Sequence, residues 1–228
     1  MAYTLEQLGE RYGAWWIDAL GEHNHIGGLD STRWLLDRAG LRPGDRMLDS
    51  GAFVGAAARH AATSIPGLRV VATDLNPEFL QTGREMEGGH AVDWVTAATE
   101  RLPFASASFQ SVWALDTAMP PRELARVAAP RATLCLCCEA PNDNRGGAEA
   151  FFEEWEEYGW RLSAHRALSL EATNTWRKAE ADVVWRHTFY EERYGKRGYG
   201  GQLDLLTSLV QMYERGEAGH GLYVFSRG

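Results

Sequence analysis

The chain has 228 residues, 45% hydrophobic and 24% charged, with a formal charge of −8 and a pI near 5.4. That balance suits one α/β domain with its own core and excludes a disordered or fibrous chain. It also argues against a nucleic-acid backbone as partner, and no apolar run approaches the roughly 20 residues that span a bilayer. The first twenty residues lack a basic stretch followed by an apolar one, so a cytoplasmic protein is expected, with no nucleic-acid or membrane partner. A homodimer is compatible with these features.

Residues 5–20 and 30–38 read as helices flanking the loop GEHNHIGG. Residues 46–50 then form a first strand and the Ala-rich 54–64 a helix; 68–74 follow as a strand and 77–87 as a helix that Asn76 can cap. Strands are expected at 92–97 and 109–115, a helix at 122–128, and a strongly apolar strand at 132–138. FFEEWEEYGW reads as an amphipathic helix with its acids in water. Residues 160–167 and 221–226 supply the last two strands, and between them lies a long insert. Its helical stretches SLEATNTWRKAEADVVW and GQLDLLTSLVQMYERG flank YGKRGYGG.

The expected layout is one domain over 1–228: an N-terminal helical cap (1–40), a Rossmann-like core (45–167), a helical insert or lid (168–217) and a last strand (219–227). The fold class is α/β, with helices on both faces of a largely parallel sheet. The three cysteines, Cys135, Cys137 and Cys138, fall in one apolar run and read as buried small hydrophobes. No metal is expected, because no carboxylate, His and Cys residues share a ligand spacing along the chain.

The stretch Asp49-Ser50-Gly51-Ala52-Phe53-Val54-Gly55 joins the first strand to its helix, where an open α/β sheet binds ligands beyond its carboxyl edge. Asp74, 25 positions after Asp49, ends the second strand, where a carboxylate can accept hydrogen bonds from both hydroxyls of a ribose. Taken singly, the glycines could merely permit a tight turn and Asp74 could merely cap a helix. In register within one βαβ unit they point to a nucleoside-type ligand.

The run HIGGLDSTRWLLDRAGLRPGDRMLDSGAFVGAAARHAA resembles the opening of class I S-adenosylmethionine (SAM)-dependent methyltransferases, particularly the sarcosine/dimethylglycine and tocopherol branch of small-molecule enzymes. TERLPFASASFQSVWALD and GHGLYVFSR resemble later segments of that family. The resemblance implies a seven-strand sheet whose last strand is antiparallel, SAM as cofactor and S-adenosylhomocysteine as product. It places Asp49 and Gly51 near the methionine half, with Phe53 and Gly55 in the same loop. Asp74 would lie at the ribose, Leu75 beside the adenine, Thr99 and Glu100 near the base, and Leu115 at the end of the fourth strand. His25 with Gly27-Gly28 matches a loop that closes over the methionyl end. A dinucleotide dehydrogenase fits less well, because the glycine spacing departs from GxGxxG.

The sequence also departs from the family. The middle glycine of the loop is Phe53, which either fills ligand volume or swings into the protein, and the aspartate expected at the adenine is Ala98. After the fourth strand, Asp116-Thr117-Ala118-Met119-Pro120-Pro121 carries no histidine, and Pro130-Arg131-Ala132 replaces a Pro-Gly-Gly turn.

Candidate catalytic groups are Asp116 and His25, with His23 beside it. Tyr12, Trp15 and Trp16 on the first helix, and His187 and Tyr190 in the insert, are candidate substrate contacts; Trp176, Trp185 and Phe189 could form an opposite wall. The expected activity is SAM-dependent methyl transfer to the N, O or C nucleophile of a small molecule. The alternatives are a methyltransferase fold turned to a cyclase- or isomerase-like reaction, or a non-catalytic pseudoenzyme.

Overall fold

A computed structural model describes residues 14–140 and 148–228. Helices α1 (Ala14–Leu20) and α2 (Gly28–Leu36) precede β1 (Arg46–Ser50), α3 (Ala56–Ser64), β2 (Arg69–Asp74), α4 (Pro77–Glu85) and β3 (Val92–Thr96). Then come β4 (Phe109–Leu115), α5 (Pro121–Val127), β5 (Ala128–Ala140), α6 (Ala148–Glu157) and β6 (Trp160–Ala167). The chain closes with α7 (Ser169–Trp185), α8 (His187–Glu214) and β7 (Gly219–Arg227). Tyr12 lies outside the described residues, as does the expected helix before residue 14.

The strands form one seven-stranded sheet in the order β3-β2-β1-β4-β5-β7-β6. β1 to β5 run parallel, and β7 inserts antiparallel between β5 and β6. Strand order reverses between β1 and β4, where the following loops splay apart and leave a crevice at the carboxyl edge. The antiparallel β7 brings its first residues to that same edge: Glu139 pairs with His220 and Ala140 with Gly219.

Alternation with a period of two divides the strands between two cores. Met47, Val70, Trp113, Cys135 and Cys137 face α2, α3, α7 and α8, whereas Leu48, Val71, Val112, Leu136 and Cys138 face α5 and α6. All three cysteines are buried and free, as their apolar run predicts.

Two elements exceed their expected bounds. β5 starts directly at the end of α5 and crosses the whole sheet, longer than the apolar 132–138 alone. YGKRGYGG is helical within α8 except at Gly195, whose φ of 73° and ψ of 161° break the helix in two. Asn76 caps α4 as expected, its side-chain oxygen accepting the Glu78 N–H at 2.9 Å.

Candidate functional site

The turn after β1 is shaped by backbone that L side chains rarely adopt: Gly51 has φ of 72° and Gly55 of 67°. Neither site has room for a methyl group. A Cβ on Gly51 would lie 2.0 Å from the Thr117 hydroxyl, and one on Gly55 would lie 2.4 Å from the Trp94 ring. Phe53 sits between them with φ of 56°, also left-handed. Its ring swings into the protein and packs edge-on against Phe79 at 4.5 Å, in a small cluster with Val54. Of the two outcomes considered for Phe53, the ring lies mostly in the protein while its rim still borders the crevice.

That turn presents a backbone N–H to Asp74. Phe53 N–H donates to Asp74 Oδ2 and Asn76 N–H to Oδ1, each at 2.9 Å. Burial raises the Asp74 carboxyl above its ordinary range despite these bonds. The Leu75 N–H adds a third such bond, and with about four lone-pair positions an ionised carboxylate still has acceptor capacity for a hydroxyl donor. Asp49, in contrast, lies behind the loop. Burial pushes it up to about 7, while the Ala58 N–H near the start of α3 bonds it and opposes that rise.

A cavity of about 620 Å³ opens along the carboxyl edge, within the range of small-molecule sites. Gly51, Phe53, Asp74, Leu75, Thr99 and Glu100 line one end; Leu115, Asp116, Glu139, Tyr213 and His220 also line it. Asp74 on β2 and Asp116 after β4 are two strands apart, about 10 Å at the usual spacing. Trp16 and Trp176 close over the cavity edge-to-face at 6.1 Å, with Leu205 and Leu209 of α8 beside them. Four carboxylates, Asp74, Glu100, Asp116 and Glu139, border this space, and among the described residues no Lys or Arg does.

Asp116 has φ of 51°, which leaves its backbone at the cavity and turns its carboxyl inward, where it is 21% exposed. Oδ2 accepts the Ile26 N–H at 2.9 Å, and Oδ1 lies 2.9 Å from His220 Nε2. Burial alone would raise this carboxyl, but His220 and the Ile26 N–H outweigh it and hold the group below its ordinary value. On the other side of the imidazole, His220 Nδ1 is 2.9 Å from the Tyr213 hydroxyl. The His220 backbone is fixed from both sides: its N–H donates to Ser169 Oγ at 3.1 Å, and its carbonyl accepts the Leu168 N–H at 2.7 Å.

Cys137 Sγ lies 3.6 Å from Asp116 Oδ2 and 3.5 Å from His220 Nε2. The three donors thus meet within 4.8 Å, close enough to hold a metal ion. Linear spacing does not show this grouping, because β5, β7 and the loop after β4 each deliver one of its members.

Of the other candidates, Trp16 lines the cavity, whereas Trp15 is buried in the core. Gly55 serves the turn and packs on Trp94. His25 is buried beside the cavity, its ring committed to the loop: Nε2 is 2.9 Å from the Gly28 carbonyl and 3.0 Å from the Thr32 hydroxyl. Burial lowers it to about 4. His25, His23, Gly27 and Gly28 border a smaller cleft with Lys178.

His187 is exposed at the junction of α7 and α8 and does not line the main cavity. Tyr190 is fully buried and bonds Asp182 Oδ2 at 3.2 Å, so neither candidate substrate contact lines the main cavity. Trp185 is 82% exposed and also stands outside the cavity, as does Phe189, whereas Trp176 takes the expected wall position. The residues sequence reasoning missed are Tyr213 and His220. Their only local signal is a pair of polar rings flanking the turn before the apolar LYVF, and only the antiparallel insertion of β7 reveals where they meet.

A methyltransferase-domain family matches residues 47–133. An uncharacterized protein of Mycobacterium tuberculosis is 38% identical over 80 residues, 34% of this chain and 28% of that protein, so the match spans under a third of the relative's length. The fold is shared much more widely. A putative sarcosine dimethylglycine methyltransferase from Galdieria sulphuraria superposes with a TM-score of 0.83 at 15% identity, over 95% of this chain and 97% of that one. The [4+2]-cyclase SpnF superposes with a TM-score of 0.80 at 17% identity, over 100% of this chain and 97% of its own.

Proposed function

We propose, from a chain whose core is that of the class I SAM-dependent methyltransferases, that this protein transfers a methyl group from SAM to a small, uncharged or cationic acceptor. The observation that carries the reading is the charge of the cavity: four bordering carboxylates, with aromatic rings at its mouth, favour a sulfonium and a neutral or cationic partner. The same walls disfavour a phosphate- or carboxylate-rich acceptor.

The residues present fit SAM. Asp74 keeps acceptor capacity for a ribose hydroxyl beyond the backbone N–H groups that bond it. Leu75, partly exposed, offers an apolar surface to a base, and Thr99 lies across the same end. Ala98 offers no hydrogen bond to an adenine amine, a loss of order 1 kcal/mol, or about fivefold in affinity. SAM supplies a methyl group on an activated sulfonium, so the protein's part is to orient the acceptor and keep water out. Trp16, Trp176 and Leu209 provide that cover.

The test is calorimetric titration of SAM and S-adenosylhomocysteine into the purified protein. Micromolar binding that is lost in Asp74→Ala supports the reading, and absence of binding by both compounds refutes it. The likeness to SpnF favours a second reading, a cyclase-like reaction in which the methyl stays on its sulfur. Incubation of candidate acceptors with methyl-labelled SAM separates the two, because label in a product excludes the second.

A further inference from the structure

The geometry points to a proton relay, Tyr213–His220–Asp116, that takes the proton of the acceptor. The acceptor class is therefore a nucleophile with a proton to lose, such as a phenol or a protonated amine, rather than a thioether. This inference rests on the methyl-transfer reading for its acceptor and on the structure alone for the relay.

Two contacts make up the relay. Asp116 Oδ1 lies 2.9 Å from His220 Nε2, and with the imidazole hydrogen on that nitrogen the carboxylate accepts it. In that tautomer Nδ1 is the acceptor, and the partner 2.9 Å from it is the Tyr213 hydroxyl. A hydroxyl bonded to an imidazole that is oriented by a carboxylate is the arrangement that activates weak nucleophiles and bases. Ile26 N–H fixes the carboxylate, Ser169 fixes the His220 backbone, and all three relay residues border the cavity.

Burial pushes the Tyr213 phenol well above its ordinary value, so it does not ionise by itself. Its proton leaves only as Oη gains another bond, to a proton or to an electrophile. The acceptor X–H bond breaks, its electron pair stays on X, and its proton passes to Tyr213 Oη. The proton originally on Oη moves to His220 Nδ1, and the imidazolium so formed is paired with Asp116. Deprotonation by this route frees the lone pair of an ammonium nitrogen or turns a hydroxyl into the more nucleophilic oxyanion, a role worth about 10²- to 10⁴-fold in rate. His25, the histidine that sequence reasoning favoured, has its Nε2 committed to Gly28 and Thr32.

A sulfonyl fluoride reads the relay without any acceptor. Phenylmethanesulfonyl fluoride forms an S–O bond to an activated hydroxyl as fluoride leaves, and the hydroxyl proton must go to a neighbouring base. The wild type, Tyr213→Phe, His220→Gln and Asp116→Asn are treated alike, folding is checked by circular dichroism, and modified tyrosines are mapped by mass spectrometry. The expected result is modification of Tyr213 in the wild type, reduced at least tenfold in His220→Gln and in Asp116→Asn. Equal modification in wild type and variants overturns the relay, as does an unmodified wild-type Tyr213.

With methyl-labelled SAM, transfer to phenethylamine falls at least 100-fold in Tyr213→Phe, and transfer confined to methyl phenyl sulfide overturns the acceptor class. Titration of S-adenosylhomocysteine separates the two readings. Labelling of Tyr213 in a protein that binds neither SAM nor S-adenosylhomocysteine keeps the relay and removes the methyl donor.

Discussion

Phe53 offers the sharpest test of the turn, because two replacements of the same ring should differ in a defined direction. Removing a buried Phe side chain costs about 3–5 kcal/mol, and the low end applies here because part of the ring borders the cavity. Its edge-on contact with Phe79, 4.5 Å between centroids, lies within that loss. The backbone adds a second effect. At φ of 56° a residue with a Cβ carries a left-handed strain of about 1–2 kcal/mol, which glycine escapes.

Phe53→Ala should therefore destabilise by about 3 kcal/mol and Phe53→Gly by about 2. At 2–4 °C per kcal/mol for a chain of this size, Tm should fall by about 6–12 °C in the alanine variant and 4–8 °C in the glycine variant. Differential scanning calorimetry measures both. An alanine variant as stable as the glycine variant, or more so, would refute the left-handed turn. An unchanged Tm in both would refute the burial of the ring.

Asp74→Asn places an amide where two backbone N–H groups now find acceptors, so one donor is left facing a donor; a loss of about 1–3 kcal/mol is expected by chemical denaturation, with weaker S-adenosylhomocysteine binding by calorimetry. Gly55→Ala forces a Cβ into the Trp94 ring and into a left-handed φ, and thermal melting should show a loss of several kcal/mol that Trp94→Leu only partly restores.

Two buried groups should give opposite pH trends. His25, lowered to about 4, takes up its proton more readily when unfolded, so its contribution falls as pH drops from about 6.5 to 4. Asp49, raised to about 7, holds its proton more tightly when folded, so its contribution falls as pH rises from about 4 to 7. Urea titrations across this range should show that His25→Gln removes the first loss and Asp49→Asn the second; unchanged slopes would contradict their burial as neutral groups.

The sequence by itself determined the βαβ unit and the acid that closes its second strand, because each is local. The short run RMLDS, the glycines of the turn and an acid closing the next strand act on a few neighbouring residues. The helix Ser169–Trp185 was legible to the residue for the same reason: its ends and its apolar spacing lie within one stretch of chain.

Only the tertiary structure decided which polar groups share the cavity. His25 and His220 are equally plain in the sequence, yet one is committed to Gly28 and Thr32 while the other sits between Asp116 and Tyr213. Tyr190 and Tyr213 likewise occur on the same helix, one buried against Asp182 and the other at the cavity. What separates them is the antiparallel insertion of β7 between β5 and β6. That pairing joins Glu139 to His220, more than 80 residues apart, and is set by backbone hydrogen bonds and two-sided burial, which leave no mark on either residue's neighbours in sequence.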